Sequence, residues 1–495
     1  MADLALRSVS LLFQVYLAGT IGAEGMGKMQ LVLTAGGFAM TLGTSGVRVA
    51  AMNLTAQECG RNHPAGIKKA ICSSMLYGLI LSMLSGALLL FAAPKIAIRF
   101  VRDEAVTPAL RLLGVSLPFH CLVAVLSGYF TARGKVRTLV AIEILERIVS
   151  IAATVLLLRF WADGEMSRVC SSVIGGGSIS LAFSLILLGS VLFRDLRSIT
   201  GSKAVPMRKR LLELCVPLAL SDYLRSGLST LEQFLIPRGL SRSPRGKYTA
   251  MADYGTISGM VFPVLMFPAA LFYSLSDLLV PELSRCRVQG KVIRIRSICV
   301  RCLKTGVVFA AMVAGLTYLL GPSLGRFLYK SETAGRYLQI FAPLILMLYL
   351  DALTDGMLKG LGEQVASVRY NTITAAADVI LLYFLLPRWG IGGFVCSFTL
   401  THAVNFWLSL RRLMTVTGCN PDWKHALKTV AVAILTTAAA VRLVFPIPRL
   451  YSMILCGGVF LGMYFLVSLS FGTFHPRQLR QFLPHPKANR SPPRR

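Results

Sequence analysis

The sequence predicts an all-α integral membrane protein. It would have about 14 transmembrane helices in two six-helix lobes, related by a pseudo-twofold along the membrane normal, plus two C-terminal helices. Three observations carry this. Hydrophobic residues make up 55% of the 495-residue chain and charged residues only 15%, with a mean hydropathy of +0.65, whereas a soluble chain needs more charge to cover its surface. Apolar runs of about 20 residues, the length that crosses a bilayer, recur from end to end. Stretches of the two halves also align with one another.

The first run, 4–21, lacks a basic n-region and a small-residue cleavage site, so it reads as a retained helix and not a cleavable signal. Only three residues precede it, and a natural start slightly upstream is expected. Spans at 28–52, 68–92, 107–131, 138–160 and 168–193 complete an N-lobe over 1–193. The polar segment RDLRSITGSKAVPMRKR (194–210) reads as a cytoplasmic linker to a C-lobe over 211–412, with spans at 211–236, 252–281, 298–320, 335–358, 367–387 and 390–411. Two further spans, 426–445 and 450–471, fill 413–471. A basic, Pro-rich cytoplasmic tail over 472–495 is expected to lie disordered near anionic lipid. Two outer segments, PKIAIRFVRDEA (94–105) and SLGRFLYKSETA (323–334), mix apolar and basic residues at helical spacing and read as short interfacial helices.

The halves repeat. ALRLLGVSLPFHCLVAVLSGYFTARG (109–134) aligns without a gap on YLQIFAPLILMLYLDALTDGMLKGLG (337–362), matching Gly128 with Gly356 and Gly134 with Gly362. LRSVSLLFQVYL (6–17) aligns on LRSGLSTLEQFL (224–235), matching Arg7 with Arg225 and Gln14 with Glu232. An even number of spans per copy gives both copies one orientation, with a cavity between them.

A net charge of +30 raises a nucleic-acid reading. The distribution opposes it, because Lys and Arg concentrate in alternate loops, as the positive-inside rule requires. RGKVR (133–137), the 194–210 linker, RCRVQGKVIRIR (285–296) and the tail fall on one side. This predicts a multi-pass cell-membrane protein with both termini cytoplasmic and no nucleic-acid partner. The outer loop RGLSRSPRGK (238–247) breaks the rule. Cys299 and Cys302 form a lone CxxC, so no metal site is expected. The NLT sequon at Asn53 falls on the cytoplasmic side, where glycosylation does not reach it. Without a Walker A motif or a catalytic triad the chain reads as a non-enzyme, with no cofactor.

Charges at membrane depth need a partner or water. Asp222, Arg225, Ser229 and Glu232 are spaced 3, 4 and 3, which places them on one helical face. Arg7, Ser10 and Gln14 repeat the pattern on the first span, and Arg48 sits in TSGVRVA beside Gly43 and Gly46. Arginines facing one cavity make an anion site, since guanidinium matches phosphate bidentately. The plainer alternatives are that Asp222 and Arg225 neutralise each other and that Arg7 and Arg48 snorkel to the interface. Glu143 and Arg147 are expected to pair at i,i+4 beside Glu146. Asn371 and Asp378 share a face seven residues apart and, with a span-7 carboxylate, can hold a coupling cation such as Na⁺ or H⁺.

GAEGMGKMQ (22–30), LGTSGVRVA (42–50), LRSGLSTLEQFLIPRGL (224–240) and ADYGTISGMVFPVLMFPAALFYSLSDLLVPELS (252–284) resemble the polysaccharide-exporter branch of the multidrug/oligosaccharidyl-lipid/polysaccharide (MOP) flippase superfamily. The likeness is to stage V sporulation protein B-like proteins and, more distantly, to the lipid II flippase MurJ. It implies alternating access by a monomeric transporter in membrane lipid, and an undecaprenyl-diphosphate-linked sugar as cargo. Arg7, Arg48 and Arg225 fit the role of the cavity arginines, with Gln14, Glu232 and Asp222 beside them. Some relatives carry a Na⁺ site in the C-lobe, and the spacing of Asn371 and Asp378 departs from it. Two other readings compete: a cation-coupled multidrug exporter of the same superfamily, and a non-transporting envelope or sporulation scaffold.

Overall fold

A computed structural model of the protein describes residues 2–61, 64–197, 207–244, 249–443 and 450–472. Most of the 194–210 linker and nearly all of the C-terminal tail lie outside the described residues. The regular structure among them is helical. The chain packs as two compact units, one of residues up to Pro263 with Thr372–Ser397, the other of Val264–Asn371 with the residues from Phe398 onward. The division does not fall at 194–210.

The first unit contains α1 (Ala2–Thr44), α2 (Val47–Gly60), α3 (Pro64–Ile96), α4 (Thr107–Ala132), α5 (Val136–Trp161), α6 (Met166–Arg197), α7 (Arg208–Arg242) and α8 (Ala250–Thr256). α1 is divided at Gly22, whose φ of 70° and ψ of 179° suit glycine alone, between the first two expected spans. The expected 28–52 span is cut again at Gly46 (φ 73°), where α2 starts. A Cβ on Gly46 would lie 2.8 Å from the Cys215 carbonyl oxygen, so this turn is pressed against α7. Val47, Ile71, Val125, Phe130 and Leu188 form a core shared by α2, α3, α4 and α6.

The chain continues through a π-helical turn (Ile257–Val261), α9 (Phe262–Met266) and α10 (Ala270–Val288), breaking between α9 and α10 beside Pro268. α11 (Val292–Tyr329), α12 (Glu332–Phe341) and α13 (Leu344–Gly360) follow, and α12 and α13 meet at a 56° bend. Next come α14 (Gln364–Trp389), α15 (Ile391–Thr417), α16 (Trp423–Leu443) and α17 (Leu450–Ser470). Val308, Leu319, Val432, Phe460 and Tyr464 are buried together between α11, α16 and α17.

Nine helices among the described residues are long and apolar enough to cross a membrane, and counting two bent pairs gives up to eleven, compatible with about 14 spans. α5 and α7, which carry the buried-depth charges, are not among them. Leu84 and Phe91 of α3 and Ile186 of α6 are more than two-thirds exposed, as lipid-facing side chains are.

Backbone geometry repeats with the sequence. Pro94 and Pro322 each lie inside a helix. Arg102 (φ 59°) and Lys330 (φ 51°) then reverse the chain in the left-handed region. Asp103 accepts from the Ala105 N–H at 2.9 Å, and Ser331 caps α12 through the Ala334 N–H at 3.2 Å. Gly134 (φ 73°) and Gly362 (φ 72°) end the matched helices. A Cβ on Gly128 would meet the Arg48 carbonyl at 2.5 Å, and one on Gly356 would meet Ser276 Cβ at 2.5 Å.

The residues that follow the two turn glycines pair with opposite sign. Lys135 Nζ lies 2.5 Å from Asp195 near the end of α6, with Tyr129 donating to the same carboxylate at 3.3 Å. Glu363 accepts from Arg412 Nε and Nη2 at 3.0 and 2.7 Å near the end of α15. The expected interfacial helices do not form as separate elements. Residues 97–101 prolong α3 as a π-helical turn, and 323–329 prolong α11, because neither Pro94 nor Pro322 interrupts its helix.

Candidate functional site

The seam of α1 and α7 holds most of the predicted site. Three polar contacts dock α7 on the end of α1: Ser45 Oγ donates to Asp222 at 2.5 Å, Tyr223 OH to the Leu42 carbonyl at 2.9 Å, and Ser226 Oγ to Thr41 Oγ1 at 3.2 Å. Tyr223 and Ser226 face α1, while Asp222, Arg225 and Ser229 are all exposed, with Asp222 at the margin where Ser45 reaches it. The alternative in which Asp222 and Arg225 neutralise each other is not seen, and among the described residues neither Arg225 nor Arg48 makes an ion pair. Arg7 and Arg48 are exposed, and Gln14 is half-buried.

Asp378, of the predicted cation group, is buried and accepts from Ser397 Oγ at 2.7 Å. Glu232 lies close enough for its carboxyl group to feel that of Asp378. Asn405 Nδ2 donates to Asn371 Oδ1 at 2.8 Å and to both Asp351 oxygens at 2.9 Å. Sequence reasoning missed Ser45, Ser397 and Asn405, since hydroxyl and amide side chains are common in membrane helices and nothing in their spacing marks them.

A cavity of about 460 Å³ lies within the first unit, lined by His120 of α4, Glu143, Glu146, Arg147 and Ser150 of α5, and Ser178 of α6. The expected Glu143–Arg147 ion pair is not formed, and both side chains line this space. At the far end of α2, Glu58 is buried and contacts Arg61 at 3.0 Å and Arg210 of α7 at 3.3 Å. Among the described residues no group of three or more His, Cys, Asp or Glu side chains is placed to hold a metal ion.

Comparison with solved structures defines the class. The lipid II flippase MurJ in an inward closed conformation superposes with a TM-score of 0.67 at 15% identity, covering 95% of this chain and 97% of that one. An inward-facing multidrug resistance MATE family transporter of the MOP superfamily gives 0.64 at 16% identity, covering 83% and 96%. The protein is a polytopic membrane protein with the fold of the MOP-superfamily transporters.

The sequence pattern described as polysaccharide biosynthesis protein matches residues 1–272, and the chain belongs to that family. Stage V sporulation protein B of Bacillus subtilis (strain 168) is 24% identical over 404 residues, spanning 79% of this chain and 77% of its own length. Sporulation protein YkvU of the same organism is 21% identical over 307 residues, 59% of this chain and 67% of its own.

Proposed function

We propose that the protein exports an undecaprenyl-diphosphate-linked sugar, lipid II or a related polysaccharide precursor, across the cytoplasmic membrane by alternating access. Both termini would be cytoplasmic and the working unit a monomer. The observation that carries this reading is the exposure of Arg48 and Arg225 without an ion pair in a helical, apolar setting. A guanidinium left unneutralised at membrane depth is costly unless an anion visits it. Arg7, Arg48 and Arg225 hold the diphosphate, with Gln14 and Asp222 at the margins of the site. Glu232 and Asp378, with Ser397, take up the coupling Na⁺ or H⁺, because two interacting carboxyl groups and a hydroxyl supply oxygen ligands and negative charge. The fold of a lipid II flippase supports the same cargo class.

A cation-coupled multidrug exporter is the second reading. Glu143 and Glu146 in the 460 Å³ cavity favour it, since carboxylates suit a cationic drug. Replacement of Arg48 and Arg225 by glutamine, followed by lipid II translocation into proteoliposomes, separates the two. Loss of translocation with normal folding supports the flippase. Full translocation by the double variant, or ethidium efflux that needs Glu143 and Glu146, removes it.

A further inference from the structure

The described part of the basic segment that breaks the loop-charge rule, residues 238–244, continues α7 and ends it. α7 runs on to Arg242, so Arg238 and Arg242 stand one turn apart at its end. Arg238 places its guanidinium 4.6 Å from the centre of the Phe100 ring, which packs on Phe234 at 4.8 Å, and it donates to the Arg99 carbonyl. Arg99, Arg102 and Arg242 lie near enough for their charges to act on Arg238; together with its burial they hold its pKa below the ordinary value. Lys28 does not add to this charge, because Glu24 (2.9 Å) and Asp103 (2.8 Å) neutralise it. Glu104, the remaining nearby carboxylate, is exposed and makes no ion pair with the arginines. Lys28, Phe100, Arg102, Arg238 and Ser241 line a cavity of about 230 Å³, with Glu24 at its wall.

Arg102 holds a left-handed backbone (φ 59°, ψ 31°) that Lys330 repeats in the second copy (φ 51°, ψ 31°), so the turn is common to both copies and the side chains distinguish them. The second copy of the repeat provides an internal comparison. There Phe327 and Lys330 stand at the places of Arg99 and Arg102, so the pair of arginines belongs to the first copy alone, and neither makes an ion pair among the described residues. Two guanidiniums at the wall of a small cavity, Arg102 and Arg238, with Arg99 and Arg242 near enough to act on Arg238, fit a ligand with several anionic oxygens.

We propose that Arg99, Arg102, Arg238 and Arg242 form a binding site for a phosphate-bearing group, either a free diphosphate or an anionic lipid headgroup. It is distinct from Arg7, Arg48 and Arg225 and does not rest on the flippase reading. The loop charges place it on the outer face.

The test uses the full-length protein in phosphatidylcholine nanodiscs titrated with inorganic diphosphate. In parallel, native mass spectrometry measures retained phosphatidylglycerol against phosphatidylcholine. The variants are R99Q/R102Q and, sparing the packed Arg238, R102Q/R242Q; R48Q/R225Q serves as the control. Diphosphate affinity that falls about tenfold or more in both outer variants, but not in the control, supports the site with a free ligand. Preferential phosphatidylglycerol retention lost in the outer variants supports it with a lipid headgroup. Binding that is absent in both arms, or that is lost only in R48Q/R225Q, overturns the proposal.

Discussion

Gly128 and Gly356 occupy matched places in the repeat, yet alanine at the two positions should behave differently. A Cβ on Gly128 would stand 2.5 Å from the Arg48 carbonyl oxygen, 3.2 Å from the Met52 nitrogen and 3.3 Å from Ala51 Cβ. Two of these are backbone atoms of α2, so the helix itself must move. Overpacking of this kind costs about 1–3 kcal/mol, and the helix-propensity gain of alanine over glycine returns about 1 kcal/mol. A Cβ on Gly356 would meet Ser276 of α10, at 2.5 Å from Cβ, 2.6 Å from Oγ and 3.2 Å from Cα. The hydroxyl can change rotamer, but Cβ and Cα move only with the backbone. G128A and G356A should therefore each lose about 1–2 kcal/mol, and only G128A displaces the backbone that carries Arg48. The assay is thermal denaturation of purified protein in detergent, read by reaction of a thiol probe with the buried cysteines. Because the displaced backbone carries Arg48, the proposed flippase function requires G128A also to slow translocation of the lipid-linked cargo beyond what its stability loss accounts for. A G128A or G356A protein that melts at or above the wild type would refute the reasoning.

Other outcomes follow from charges and strain. R61Q/R210Q removes two partners from the buried Glu58 and should destabilise the protein by about 3 kcal/mol, and adding E58Q should recover most of it, both read from melting curves. R102G relieves the left-handed strain at φ 59° and should stabilise by about 1 kcal/mol while weakening diphosphate binding. Burial raises the Asp103 pKa, but the hydrogen bonds from Lys28 and the Ala105 N–H outweigh burial and hold it below the ordinary carboxylate value. A depressed folded-state pKa contributes stability above the unfolded value of about 4 that is lost as pH falls through the folded one. Acid melts should show this loss in the wild type and not in D103N.

The spans were legible because a run of about 20 apolar residues has few other uses, and the break near Gly22 followed from the fall in hydropathy there. The turns were less so. Residues 94–105 and 323–334 read as separate interfacial helices, but in each case the preceding helix continues past its proline, Pro94 or Pro322. The cut at Gly46 depends on the approach of Cys215, a contact made from far along the chain. Periodicity correctly put Asp222 and Arg225 on neighbouring positions of α7. It carried no information about Ser45, which takes the carboxylate and leaves the arginine exposed. For Asn371 and Asp378, the shared face gave direction around the helix but did not mark Asn405 and Ser397, which hydrogen-bond to the two side chains.

The opposite signs of Lys135–Asp195 and Glu363–Arg412 bear on assembly during synthesis. A chain with two similar halves risks joining the turn of one half to the sixth helix of the other, a known failure of repeated sequences. With equal signs such a cross-joined product would keep its ion pairs. With reversed signs it would set Lys135 against Arg412 and Glu363 against Asp195, repulsion in both places. Each half can thus recognise its own last helix, and the duplication remains foldable because its two copies have ceased to be interchangeable.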